Sequence, residues 1–332
     1  FFIKINQLLG EGSGPIEFIS QLISCIKSDK LAEVTSDFIK SDVHILNTGG
    51  YSLLWKYFKP KSKNKIITRI DGIGIDSRLI KTRKKIDCNI LDLAERSNTI
   101  IYQSKFCKKC FQNIYNFEGP NRVINNGSTI LPSKNKATNE INMYIKKRTK
   151  NGYFVIAGRN TKRKRILEII DMYNRLIDNN MPKLVILSDI HESKKIKSNK
   201  LIYLGLQHPN IARLIINESI GLIHIDCYDW CPNLVISAIF DRVPVICSNY
   251  GGTPEIVHKS GYIINEFPNN LTYDIEGLKY ALSSKIPDDL FKEALNDIYY
   301  HRINIEYKNN FSMSETAKKY IDLCLKVKAT ND

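Results

Sequence analysis

Short apolar runs alternate with stretches of helical period along this chain. Phe1–Ile5, Val43–Leu46, Ile66–Ile70, Thr99–Gln103 and Arg122–Ile124 read as strands. Between them Ile16, Ile19, Leu22, Ile23 and Ile26 recur at helical spacing, and Cys107–Asn116 predicts a second helix. Asn125-Asn126-Gly127 marks a turn, and residues 132–150, polar and lysine-rich, read as a linker. The alternation then restarts. Tyr153–Ala157, Lys183–Ser188, Leu201–Gly205, Gly221–Asp226 and Val243–Ser248 are strand candidates, with helices predicted over Arg165–Asn179, Ile211–Asn217 and Pro232–Asp241. Two successive β-α-β runs predict an α/β protein with two doubly wound, Rossmann-like parallel sheets. Ligands of such sheets bind beyond the carboxyl ends of the strands, here expected as two edges facing across a cleft.

Composition narrows the class. The 332 residues suffice for two domains, and 43% hydrophobic with 25% charged residues is ordinary for a globular protein. No apolar run reaches the roughly 18 residues of a membrane span, and Phe1–Ile5 is too short and wrongly flanked for a signal peptide. Of the eight cysteines, Cys107 and Cys110 form a C-x-x-C with no second pair, so core or helix-surface positions are expected rather than a zinc site. Free thiols without a signal peptide point to the reducing cytoplasm.

A net charge of +15 favours an anionic partner. The basic clusters (59–65, 81–85, 146–150, 162–165 and 194–200) lie apart and no nucleic-acid motif accompanies them, so no nucleic-acid partner is expected. Most of this charge reads as solvated surface. Peripheral contact with an anionic membrane is compatible with it.

The chemistry concentrates in Asp229-Trp-Cys231-Pro232-Asn233 through Ser237 to Gly251-Gly252-Thr253-Pro254-Glu255. Pro232 suits a first helical turn, and Asn233, Ser237 and Asp241 make a polar stripe at i, i+4 and i+8. The helix N-terminus offers unsatisfied N–H groups to an anion. Thr253-Pro254-Glu255 repeats the logic, with Thr253 as N-cap and Pro254 at N1, and Gly251-Gly252 permits close backbone approach. Upstream, Gly158-Arg159 and Lys164 follow a strand and open a helix. In the first half, Gly10-x-Gly12-Ser13-Gly14 joins a strand to a helix.

Together these segments resemble the family 4 glycosyltransferases of GT-B fold, the glycogen-synthase-like group. The family pattern has an acid, seven residues, a second acid, a G-x-P-V-I strand and a G-G-x-x-E turn. Asp229 matches the first acid, which contacts the transferred sugar; Cys231, Pro232 and Asn233 match a C-P-N variant of that loop. Gly158, Arg159 and Lys164 are similar to G-R-x-x-x-x-K, whose cations hold the donor diphosphate. The resemblance adds Gly205, Ser237, Gly251, Gly252 and Thr253 to the donor side, and Gly12, Ser13, Gly14 and the Asp71 of Arg69-Ile-Asp71-Gly72 to the acceptor side. Asn126-Gly127 resembles the N-G before the interdomain linker. Phe311-Ser312, Ala317, Tyr320 and Ile321 resemble the terminal helix that crosses back to the first domain. The implied domains are 1–145 with 311–330 for the acceptor, and 146–310 for the donor.

The implied reaction is transfer of a hexosyl unit from a nucleoside diphosphate sugar to a hydroxyl acceptor (glycan, lipid-linked or protein-linked). Configuration is retained, the domains close over the donor, and Asp229, Arg159 and Lys164 carry catalysis. With no D-x-D pair present, no metal or other cofactor is expected. Three positions depart from the pattern. Ser237 stands where the ribose-binding acid belongs, Arg242 replaces a helix-ending glycine, and Trp230 is bulky. Ser237 keeps open a weakened sugar-nucleotide binder, and an epimerase of similar architecture is a further alternative. His44, in an apolar run, reads as a core histidine, and Asp189-Ile-His191 as a surface turn.

Overall fold

A computed structural model describes residues 4–6, 14–35, 40–48, 65–73, 90–301 and 311–330. The chain divides into two compact units. The first comprises residues 1–129, 273–276 and 309–332, and the second residues 130–272 and 277–308.

In the first unit, six strands form one parallel sheet: β1 (Lys4–Asn6), β2 (Glu33–Thr35), β3 (Val43–Asn47), β4 (Lys65–Ile70), β5 (Thr99–Tyr102) and β6 (Asn121–Val123). Their order is β2-β1-β3-β4-β5-β6, so the winding reverses between β1 and β3. Helix α1 (Gly14–Ser28), residues 90–95 as α2, and α3 (Lys105–Tyr115) connect them. The central strands are apolar on both faces, as strands covered by helices on two sides must be. Phe18, Ile19, Leu22 and Ile26 of α1 pack with Val43, Ile45, Ile67 and Ile101 of the sheet.

The same core takes in the last helix, α11 (Met313–Ala329), through Ala317, Tyr320, Ile321 and Cys324. Its start is fixed locally, because Ser312 caps it by accepting the Glu315 N–H at 3.1 Å. Ser128 then joins it by backbone hydrogen bonds, its N–H donating to Phe311 and its carbonyl accepting from Met313, each at 2.7 Å. Gly127 permits that approach; a Cβ there would lie 2.7 Å from Thr316 Oγ1 and 2.8 Å from Met313 Cα.

The second unit holds β7 (Tyr153–Ala157), β8 (Lys183–Leu187), β9 (Leu201–Tyr203), β10 (Gly221–His224), β11 (Val245–Ser248) and β12 (Gly261–Ile264). All pair in parallel, in the order β9-β8-β7-β10-β11-β12. This is the 3-2-1-4-5-6 order of a dinucleotide-binding sheet, with its switch point between β7 and β10. Around it run α4 (Lys136–Lys146), α5 (Ile166–Leu176), α6 (Pro209–Asn217), α7 (Asn233–Phe240), α8 (Thr253–Val257), α9 (Ile275–Ser283) and α10 (Asp288–His301). Ile166, Ile169, Ile170 and Tyr173 of α5 and Phe291, Leu295 and Ile298 of α10 share one core with the strands.

Several local expectations change. Residues 132–150 are not a bare linker, since α4 occupies their middle. Asn135 and Thr138 cap it reciprocally, and Ile145 is fully buried. Asn142 donates to Glu218 at 3.2 Å, and Lys134 and Lys146 pair with the same carboxylate. The lysine content masked a helix that buries only Thr138, Asn142 and Ile145. Pro232 is the N-cap of α7 rather than its first residue, and Gly252, not Thr253, caps α8, which moves Pro254 to N2. Arg242 has φ 63°, the left-handed conformation that glycine adopts without the ~1 kcal/mol cost to other residues. Cys107 and Cys110 are both buried in α3, where they pack as small apolar groups. Asp189 and His191 are exposed, beside a 3-10 turn. Among the described residues no helix is long and apolar enough to cross a membrane.

Candidate functional site

The switch point of the second sheet lies between the carboxyl ends of β7 and β10, and two loops meet there. After β7 the chain turns at Gly158, whose φ of 128° is open to glycine and strained for other residues. A 3-10 turn over Lys162–Lys164 then leads into α5. After β10 it runs through Asp226, Cys227, Tyr228 and Asp229 towards α7. The two loops are bound by backbone and side chain. The Cys227 N–H donates to the Arg163 carbonyl at 2.8 Å, and Arg163 Nη1 donates to the Tyr228 carbonyl at 2.8 Å.

Charges of both signs concentrate between them. Arg163 Nη1 lies 2.9 Å from Asp229 Oδ2 and 3.7 Å from Asp226 Oδ2. Lys164 crosses over Gly158, where a Cβ would sit 3.1 Å from its Cδ, and places Nζ 3.1 Å from Asp226 Oδ2. His224 Nε2, buried at the end of β10, lies 3.6 Å from the Asp226 carboxylate and 3.9 Å from that of Asp229. Burial alone would raise the Asp229 pKa, but the Arg163 and Lys164 cations outweigh it and hold the carboxyl well below its ordinary range. Burial depresses His224, the nearby carboxylates opposing, and favours the neutral ring. Asp229 is thus an ionised acceptor in a half-enclosed site, flanked by fixed cations.

The glycine pair serves this loop directly. The Gly252 N–H donates to the Asp229 carbonyl at 2.6 Å. At Gly251, with φ 110°, a Cβ would stand 2.9 Å from the Asp229 nitrogen. The backbone that this pair admits is therefore the acid's own loop. Beyond Asp229, Cys231 is buried and Pro232 stands at the N-cap of α7, where its own ring makes no capping bond. Asn233 and Ser237 are half-buried on its first two turns. Asp241, the third member of the stripe, is bound by the Arg213 fork at 2.6 and 2.7 Å. Thr253 is buried with its Oγ1 unpartnered, at the head of the five-residue α8.

The remaining expected residues do not join this cluster. Arg159 is exposed and makes no ion pair among the described residues. Gly205 follows β9, two strands from β7, with φ 69° and no atom within 4 Å of where its Cβ would be. On the first unit, Gly12 and Ser13 lie outside the described residues, and Gly14 begins α1. Asp71, at the end of β4, is buried in an ion pair with Arg69. Arg69 also donates to Asn126 Oδ1 at 2.7 Å and Gln103 Oε1 at 3.2 Å, and stacks 4.5 Å from the Phe18 ring centre. In this structure the Asp71 carboxylate therefore neutralises a buried cation.

Sequence reading missed Arg163, His224 and Asp226. Arg163 is hidden within the basic run 162–165, where spacing cannot say which cation folds inward. Asp226 carried a usable signal, as an acid closing an apolar strand three residues before Asp229. His224, Asp226 and Asp229 bring three ligand-type atoms within 4.8 Å of one another, the one such cluster among the described residues. Arg163 and Lys164 occupy both carboxylates, and a divalent ion would have to displace them.

No protein-family model matches the sequence, and no curated protein sequence does. Solved structures do match along the whole chain. Sucrose-phosphate synthase from Thermosynechococcus elongatus superposes with a TM-score of 0.64 at 12% identity, covering 99% of each chain. HepE of Anabaena, determined in complex with UDP-glucose, gives 0.64 at 13% identity over 98% of this chain and 99% of its own. A glycosyltransferase from Rickettsia africae gives 0.56 at 16% identity over 98% and 85%. Two Rossmann-like parallel sheets and likeness along the whole chain to such structures mean that this chain has the GT-B fold.

Proposed function

We propose that the protein is a glycosyltransferase that moves a hexosyl unit from a nucleoside diphosphate sugar to a hydroxyl acceptor, a glycan or a lipid-linked sugar. One observation carries this reading: at the switch point of the second sheet an ionised Asp229 stands beside Lys164 and Arg163. Such a site offers a hydrogen-bond acceptor to sugar hydroxyls and, at Lys164, a cation to a diphosphate within a few ångströms of each other. The structures of HepE with UDP and with UDP-glucose show a protein of this fold taking that class of ligand.

In this reading, negative charge builds on the departing diphosphate as the sugar bond breaks, and Lys164 stabilises it. Asp226 holds the Lys164 ammonium in place before the donor arrives. The N-terminus of α7 follows the same loop, and its dipole favours an anion. Asp229 orients the sugar through its hydroxyls, with retention of anomeric configuration. Arg159 extends from the same turn and adds a second cation to the diphosphate. Ser237 gives the ribose one hydroxyl where a carboxylate would accept two bonds. No metal takes part, because the protein's own cations balance the charge.

The test is incubation with radiolabelled UDP-, GDP- and ADP-sugars, followed by product analysis. Transfer or slow hydrolysis of one donor is expected, and an isomerised donor would point to an epimerase instead. Ser237 favours one other reading, a binder without turnover. Saturable binding with neither transfer nor hydrolysis would establish that.

A further inference from the structure

Arg163 lies outside the motif residues that the fold's resemblance assigns, yet it makes more of the loop-to-loop connections than any of them. Its guanidinium reaches the Asp229 carboxylate at 2.9 Å and the Tyr228 carbonyl at 2.8 Å, and its own carbonyl accepts the Cys227 N–H at 2.8 Å. From the other side, Gly252 holds the Asp229 carbonyl at 2.6 Å. The acid is therefore gripped at its side chain by the loop after β7 and at its backbone by the turn before α8. Lys164, the next residue, points to Asp226 instead. Neighbouring cations on one 3-10 turn thus divide their nearest contacts between the two ends of the four-residue segment Asp226–Asp229, with Arg163 also 3.7 Å from Asp226.

We propose that Arg163 is a positioning residue that holds Asp229 for the sugar moiety of the donor and leaves the nucleotide moiety to other groups. The physical reason is geometric. A carboxylate on a loop can swing about two torsions, and the two N–H donors of Arg163 Nη1, a fork held in the guanidinium plane, bind both it and the adjacent Tyr228 carbonyl at once. With that fork removed, Asp229 keeps its charge but loses its direction, and hydrogen bonds to sugar hydroxyls are lost with it. Binding of a free nucleoside diphosphate does not use Asp229 and is unaffected. This proposal rests on the glycosyltransferase reading and refines it.

The experiment compares wild type, Arg163→Met and Arg163→Lys by calorimetric titration with UDP-glucose and UDP, and with the GDP- and ADP-glucose pairs in parallel. Wild type is expected to prefer one nucleotide sugar over its free diphosphate. Arg163→Met should lose roughly tenfold or more in affinity for the nucleotide sugar, the size expected for a lost charge-assisted contact, with diphosphate affinity held. Arg163→Lys should recover part of the preference, since it restores charge without the fork. Equal loss for both ligands would make Arg163 a diphosphate ligand and overturn the proposal. Unchanged affinity for both would overturn it too. Wild type that binds no pair defeats the glycosyltransferase reading and this proposal together, whereas wild type that binds while the variants keep its preference defeats this proposal alone. Should Arg163→Met not fold, Arg163→Lys decides by the same ratio.

Discussion

His44 is fully buried on β3, with Ser41 Oγ 3.1 Å from Nδ1, and burial pushes its pKa down from 6.5 to about 4. The unfolded chain therefore binds a proton in a range where the folded one does not. This histidine's contribution is complete above pH 6.5 and drains away as the pH falls from 6.5 towards 4. Thermal melts across that range should show a falling Tm, and His44→Gln should flatten the fall; an identical slope in both proteins would show that other groups set it. At the second sheet, Lys164 is half-buried over Gly158 and fixed to Asp226. Lys164→Ala should lower kcat/KM for the donor by roughly a hundredfold or more, the scale of one lost transition-state donor. Arg159 is exposed, and Arg159→Ala should cost less. Turnover of Lys164→Ala at the wild-type rate would remove the assignment. Transfer should also survive excess EDTA, since Arg163 and Lys164 already compensate Asp226 and Asp229; a rate restored only by added manganese or magnesium would show the reverse.

At the scale of elements, close backbone contacts set the geometry. Gly251→Ala would force a Cβ against the Asp229 nitrogen at 2.9 Å from a left-handed backbone. Weaker nucleotide-sugar binding is expected with α5 and α10 still packed, measurable as lost donor affinity with circular dichroism unchanged. Such contacts also explain what the chain's pattern could and could not convey. The β4 run Ile66–Ile70 and the α1 spacing of Ile19, Leu22 and Ile26 announce themselves, because each buries an apolar face, although Phe18 of the same helix core was not part of that spacing. Helix α4 did not, since it buries only Thr138, Asn142 and Ile145 among lysines. Asp229, Lys164 and the glycine pair were legible from their order. Arg163 and His224 were not, and the signal of Asp226 as an acid closing an apolar strand gained a meaning only from the fold, because these roles arise when strands β7 and β10, 68 residues apart at their starts, lie side by side. The same holds for Asp71, whose partner Arg69 was in view but whose burial was not.

At the scale of the whole molecule, each unit has its own core, and the first is completed by α11. Ser312→Ala removes the cap of that helix and should cost about 1 kcal/mol, felt in the unfolding of the first sheet and not the second. Amide hydrogen exchange resolved by residue would check this. Faster exchange should appear in β3 to β5, with β7 to β11 unchanged, and equal acceleration in both sheets would contradict it. The return of α11 also bears on how the protein is made. A ribosome delivers strands β1 to β6 first, yet Ala317, Tyr320 and Cys324, which close their core, emerge after the entire second unit. The earlier-made half must therefore wait, with the apolar face of α1 uncovered, while the later-made half can finish folding. For a nascent chain this reverses the usual N-to-C order of domain completion and makes the first sheet the one that needs chaperone cover during synthesis.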